Sequence, residues 1–232
     1  MKKGDEFMAD IKENTVSAEN QLKREDSVFG KNGTGKRILF LGNSITRHGP
    51  NASLGWLSDW GMAASSIEKD YVHRTMARAL AKDPDVSFLV GQISPWERHY
   101  WVENFFEERF PELIEYNADI IVLRAIENVP AEELENHDFR AAIKSLIDTL
   151  NPDGTAKVVL TSAFWPAGER DRAMLDVAAK YGYRFVHLGD LGVRDEYTAK
   201  GLFEHSGVAA HPGDKGMDEI ARRIFFAIED WI

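Results

Sequence analysis

Short apolar runs of strand length recur along this chain, each followed by a stretch of helical periodicity, and that alternation leaves few folds open to it. Ile38, Leu39, Phe40 and Leu41 stand in a row before Gly42, and Ile120, Ile121, Val122 and Leu123 stand in a row before Arg124. Runs this short, apolar on both faces and bounded by turn residues, read as buried parallel strands. Strands are expected over 37–41, 86–90, 119–123, 157–162 and 184–188, and helices over 70–82, 100–116, 131–150, 169–181 and 214–230. Strands that alternate with helices imply a parallel sheet covered on both sides, a three-layer α/β/α fold. Right-handed crossovers favour a flavodoxin-like, five-stranded parallel sheet of order 2-1-3-4-5.

The 232 residues suit one domain over 37–232, preceded by an N-terminal extension over 1–36 that is polar and mixed in charge. A net charge of −10 without a basic block argues against nucleic acid or an anionic membrane as partner. With no cysteine, a disulfide framework, a thiolate nucleophile and a Cys-type zinc site are excluded. Met1-Lys-Lys-Gly-Asp-Glu-Phe lacks the apolar run of a signal peptide, and no later segment has the length and apolarity of a span, so a cytoplasmic location is expected. Glu204, His205, His211 and Asp214 lie close in sequence but match no metal-ligand spacing, so neither a metal nor another cofactor is expected. Nothing in the composition bears on oligomeric state.

The chemistry gathers where the expected strands end. Ser44 follows Gly42 and Asn43 just past the first strand, on the side of the sheet where open α/β folds bind ligands. A helix starting there would offer free N–H groups to a developing negative charge. His211 sits in the rigid Ala-His-Pro-Gly loop before a segment whose Met217, Ile220, Ala221, Ile224, Phe225 and Ile228 fall at helical spacing, so the last helix is expected to start near Gly213. That loop can deliver a base to Ser44. Glu127 and Asn128 lie in the loop after the third strand, where a side-chain amide can donate to an oxyanion.

Gly-Asn-Ser-Ile-Thr after a first strand, Glu-Asn after a third and Ala-His-Pro before the last helix resemble, in that order, the SGNH (GDSL-type) hydrolase family, over about residues 37 to 231. The resemblance implies the same sheet order and an esterase in which Ser44 attacks the ester carbonyl and His211 takes its proton. It places the oxyanion between the N–H of Ser44, the N–H of Gly91 and the amide of Asn128, with Gln92 or Ser94 as alternatives to Gly91. Two departures stand out. Asn43 replaces the usual Asp of the first block, and Val208 occupies the position, three before the histidine, where the family carries its acid. Glu204, Asp190, Asp214 or a main-chain carbonyl are the alternatives to that acid, Glu204 first among the carboxylates.

Aromatic residues recur after several strands on the same side of the sheet, and such platforms suit the apolar faces of a sugar. Trp56, Trp96, Glu97, Arg124 and Glu127 are the expected substrate-binding residues, and a short-chain, acetyl-type ester on a carbohydrate or small metabolite is the expected substrate. A thioesterase or lysophospholipase on the same fold is one alternative, and a non-catalytic saccharide-binding protein that has lost its acid at Val208 is another.

Overall fold

A computed structural model describes residues 28–30 and 34–232. Strands form at β1 (Val28–Gly30), β2 (Arg37–Gly42), β3 (Ser87–Gln92), β4 (Ile120–Arg124), β5 (Lys157–Thr161) and β6 (Arg184–Val186). They make one sheet of order β1-β3-β2-β4-β5-β6. The last five are parallel and, counted along the chain, run 2-1-3-4-5 as expected. To these β1 adds an antiparallel edge strand on β3, from within the expected extension over 1–36. The rest of that extension, apart from 34–36, lies outside the described residues.

Helices form at α1 (Tyr71–Lys82), α2 (Ser94–Glu97), α3 (Phe105–Arg109), α4 (Pro111–Glu115), α5 (Phe139–Leu150), α6 (Glu169–Tyr181), α7 (Ser206–Ala209) and α8 (Asp214–Ile228). Successive side chains of a strand face opposite ways, so each strand feeds two cores. Ile38 and Phe40 of β2 join α1 and α8 on one face, while Leu39 and Leu41 join α5 and α6 on the other. Burial on both faces is why these strands carry unbroken apolar runs rather than alternation. A third, smaller cluster, with Trp56, Met62, Ala63, Ala199 and Val208, lies under the loops at the carboxyl ends of the strands.

Two expected helices are shorter than their periodicity suggests. The pattern over 100–116 splits into α3 and α4 at Phe110, whose φ of −132° and ψ of 45° leave the helical region just before Pro111. The pattern over 131–150 becomes a 3-10 turn at Ala131–Leu134 and then α5, whose true start is Asp138, its carboxylate accepting from Ala141 N at 3.1 Å. Among the described residues no helix is long and apolar enough to cross a membrane.

Candidate active site

Gly42 ends β2, and a tight turn follows it in place of the helix start considered above: the Asn43 carbonyl accepts from Thr46 N at 2.8 Å and Arg47 N at 2.9 Å. The closeness of this turn explains the glycine, because a Cβ at Gly42 would lie 2.0 Å from Thr46 Oγ1. Ser44 is thereby lifted to the sheet edge, its carbonyl tied to Met62 N at 2.9 Å. Among the described residues nothing accepts from its own N–H.

His211 arrives from the far end of the chain. Its Nε2 lies 2.8 Å from Ser44 Oγ, across 167 positions of sequence. Its Nδ1 lies 2.7 Å from the Gly207 carbonyl, which can only accept. In the neutral ring Nδ1 therefore carries the hydrogen and Nε2 presents a lone pair to the serine. Burial holds the imidazole down to about 4, against the opposing pull of the Gly207 carbonyl. The loop around His211 is fixed on several sides: its carbonyl accepts from Ala199 N at 2.8 Å, and Gly213 N donates to Tyr197 O at 3.0 Å. Trp165 stands edge-on to the imidazole, ring centres 5.3 Å apart, and its indole N–H reaches Ala210 O at 3.2 Å.

No carboxylate stands at the position of the missing acid. Val208 is buried at 1% exposure in the third apolar cluster. Asp190 pairs with Arg223, and Asp214 accepts from Ser65 N at 2.8 Å and Ser65 Oγ at 2.7 Å. Glu204, first choice among the carboxylates, is exposed and is not the partner of His211, since the Gly207 carbonyl holds that place.

Beneath the serine lies a buried polar network that joins the loops after β2, β3 and β4. Asn43 Nδ2 donates to Glu97 Oε1 at 2.9 Å and to Glu127 Oε2 at 2.5 Å. Arg124 pairs with Glu127 and reaches Asn43 Oδ1 at 3.2 Å, and Glu127 also takes Phe164 N at 3.0 Å. Asn128 Nδ2 donates to Glu97 Oε2 at 2.6 Å, and its Oδ1 accepts from Arg98 at 2.8 Å. One hydrogen of that amide nitrogen suffices for Glu97, leaving the second for a ligand. Burial, then the negative Glu127 nearby, push the Glu97 carboxyl up to about 7, while the bonds from Asn43 and Asn128 oppose the rise. Asn43 thus does what a charged Asp would do less well here: it donates to two carboxylates at once.

A cavity of about 310 Å³ opens over this arrangement, with Ser44, Asn128 and His211 on its wall. Gly91 is not among its lining residues. It sits inside β3, which runs to Gln92, and a Cβ there would come within 2.6 Å of Leu41 and 2.7 Å of Leu113. Gln92 and Ser94 line the cavity in its place. None of the five residues expected to bind substrate lines this cavity. Trp96, Glu97 and Arg124 are exposed by 4%, 0% and 0%, and the Glu127 side chain by 8%. Trp96 packs in the core near Phe139, and Trp56, 3% exposed, packs between Trp60 and Phe203. Leu54, Met62, Arg98 and His205 face the cavity instead. The one sequence signal for Arg98 was its place soon after the end of a parallel strand. No group of three or more His, Cys, Asp or Glu among the described residues is arranged to hold a metal ion.

No protein-family model matches the chain, and no curated protein matches it. Among solved structures it is similar to a family 3 carbohydrate esterase of Clostridium thermocellum, at 13% identity and a TM-score of 0.54, covering 84% of this chain and 96% of that one. It is similar also to a protein described as a GDSL-like lipase of Parabacteroides merdae, at 14% identity and a TM-score of 0.53, covering 85% and 97%. A third, an acetyl xylan esterase, matches at 14% identity and a TM-score of 0.52, covering 83% and 99%. Sheet order, layering and this likeness over 83–85% of the chain together give the protein the fold of these GDSL-like and carbohydrate-esterase structures.

Proposed function

We propose that the protein is a serine esterase that hydrolyses a short-chain acyl ester, of acetyl size, on a carbohydrate or small metabolite. The observation that carries this reading is the 2.8 Å approach of Ser44 Oγ to a His211 nitrogen whose partner atom is already committed to a carbonyl. Nε2 takes the serine proton as Oγ attacks and returns it to the departing alcohol, and water then cleaves the acyl-serine by the same route, releasing the acid and restoring Ser44. The negative charge on the carbonyl oxygen is met by the Ser44 N–H and the second amide hydrogen of Asn128. A cavity of about 310 Å³ suits a small acyl group rather than a long chain. The solved structures similar to this one include proteins named as esterases of carbohydrates and of xylan, which supports the sugar as alcohol.

The test is turnover of aryl esters of graded acyl length. Acetate should be cleaved faster than octanoate, and Ser44→Ala should remove the activity with the thermal midpoint unchanged. Full turnover in Ser44→Ala would refute the assignment.

A further inference from the structure

The wall of the Ser44 cavity carries a charge that the esterase chemistry does not use. In a chain of net charge −10, the residues lining this cavity include no aspartate and no glutamate, while Arg98 and the imidazoles of His48, His205 and His211 do line it. Arg98 is exposed, and its guanidinium meets only neutral acceptors: Asn128 Oδ1 at 2.8 Å and the Ser94 carbonyl at 3.4 Å. Among the described residues it makes no ion pair. The neighbouring Glu97 has no exposed surface and is separated from it by Asn128, which accepts from Arg98 on one side and donates to Glu97 on the other. Behind Asn128, Arg124 already pairs with Glu127 in the same network. A planar guanidinium at a cavity mouth, with donors unspent on carboxylates, fits an oxyanion on the ligand.

We propose that Arg98 selects esters that carry a second, anionic group, a carboxylate or a phosphate, beside the scissile bond. This rests on the esterase reading and narrows its substrate class to acylated sugar acids, sugar phosphates or metabolites of the same charge. The anion would sit on Arg98, which bonds the Asn128 amide oxygen at 2.8 Å, while the oxyanion is met by the amide hydrogen of Asn128, so the two negative charges of the transition state are held by different groups.

The test compares acetate esters of three meta-substituted phenols: 3-hydroxybenzoate, its neutral isostere 3-hydroxybenzamide, and 3-hydroxyphenyl phosphate. The anionic esters should have kcat/KM up to about fivefold above the neutral one, an advantage that shrinks as salt is raised. Comparing the benzoate with the phosphate ester distinguishes the two sources of charge. Arg98→Gln should abolish the advantage and Arg98→Lys should keep part of it. If Arg98→Gln lowers all three substrates by one factor, Arg98 only positions Asn128 and the proposal falls. Calorimetric binding of 3-hydroxybenzoate and 3-hydroxybenzamide to Ser44→Ala separates this from the esterase reading. Tighter benzoate binding supports the anion site even if no ester is turned over. Equal binding overturns it even if esters are hydrolysed.

Discussion

Asn128 holds its amide between Arg98 and Glu97, so the proposed oxyanion donor is positioned before any substrate arrives. Removing such a donor costs about 2.7–4 kcal/mol in the transition state, roughly a hundredfold to a thousandfold in kcat. Asn128→Ala should show that loss in kcat with KM little changed, since the charge it meets exists mainly in the transition state. As the proposed base, His211 sets the acid limb. With its pKa lowered to about 4, the base stays unprotonated well below the ordinary histidine range, so kcat/KM should hold to pH 5 and fall with an apparent pKa near 4. Val208 answers the question of the missing acid differently from its place in the sequence. An aspartate there would displace an apolar side chain packed near Trp56 and Met62, and Nδ1 of His211 already has its acceptor. Val208→Asp should cost at least about 2 kcal/mol of stability in urea unfolding and bring no gain in turnover.

At the scale of elements, what holds the site is the set of loops at the carboxyl ends of the strands. Asp70 shows how such a loop is pinned: with no exposed surface, it caps α1 through His73 N at 2.8 Å and accepts from Gly61 N at 3.1 Å. Asp70→Ala removes a cap and leaves a buried N–H unpaired, so a loss of about 2 kcal/mol or more is expected in thermal or urea unfolding. Strand runs were legible in sequence because burial on both faces writes itself as unbroken apolar residues. The serine turn and the histidine loop were legible because each adjoins a strong strand or helix pattern. Helix breaks at Phe110 and the late start at Asp138 were hidden by helical periodicity that continues through them. The cavity wall was the least legible part. Tryptophans after a strand look alike whether they face a ligand or a core, and only three-dimensional packing sends Trp96 to the core and Arg98 to the cavity.

Over the whole molecule, the network below Ser44 and the base above it give stability two opposed responses to pH. The folded pKa of His211, about 4, lies below its ordinary 6.5, so its contribution is full above pH 6.5 and is lost as pH falls toward 4. The folded pKa of Glu97, about 7, lies above its ordinary 4.5, so its contribution is full below pH 4.5 and is lost as pH rises through 7. Between pH 5 and pH 8 the Glu97→Gln protein should lose less stability than the parent, as read by urea unfolding at each pH. The 167-residue separation of Ser44 and His211 has a further consequence. No fragment that ends before residue 211 can hydrolyse an ester by the proposed route, whatever else it folds. A chain emerging from a ribosome would therefore stay silent until its last helix is out and docked. Divided in the exposed turn near Gly182, the protein would become a two-piece reporter whose signal appears only when the halves find each other.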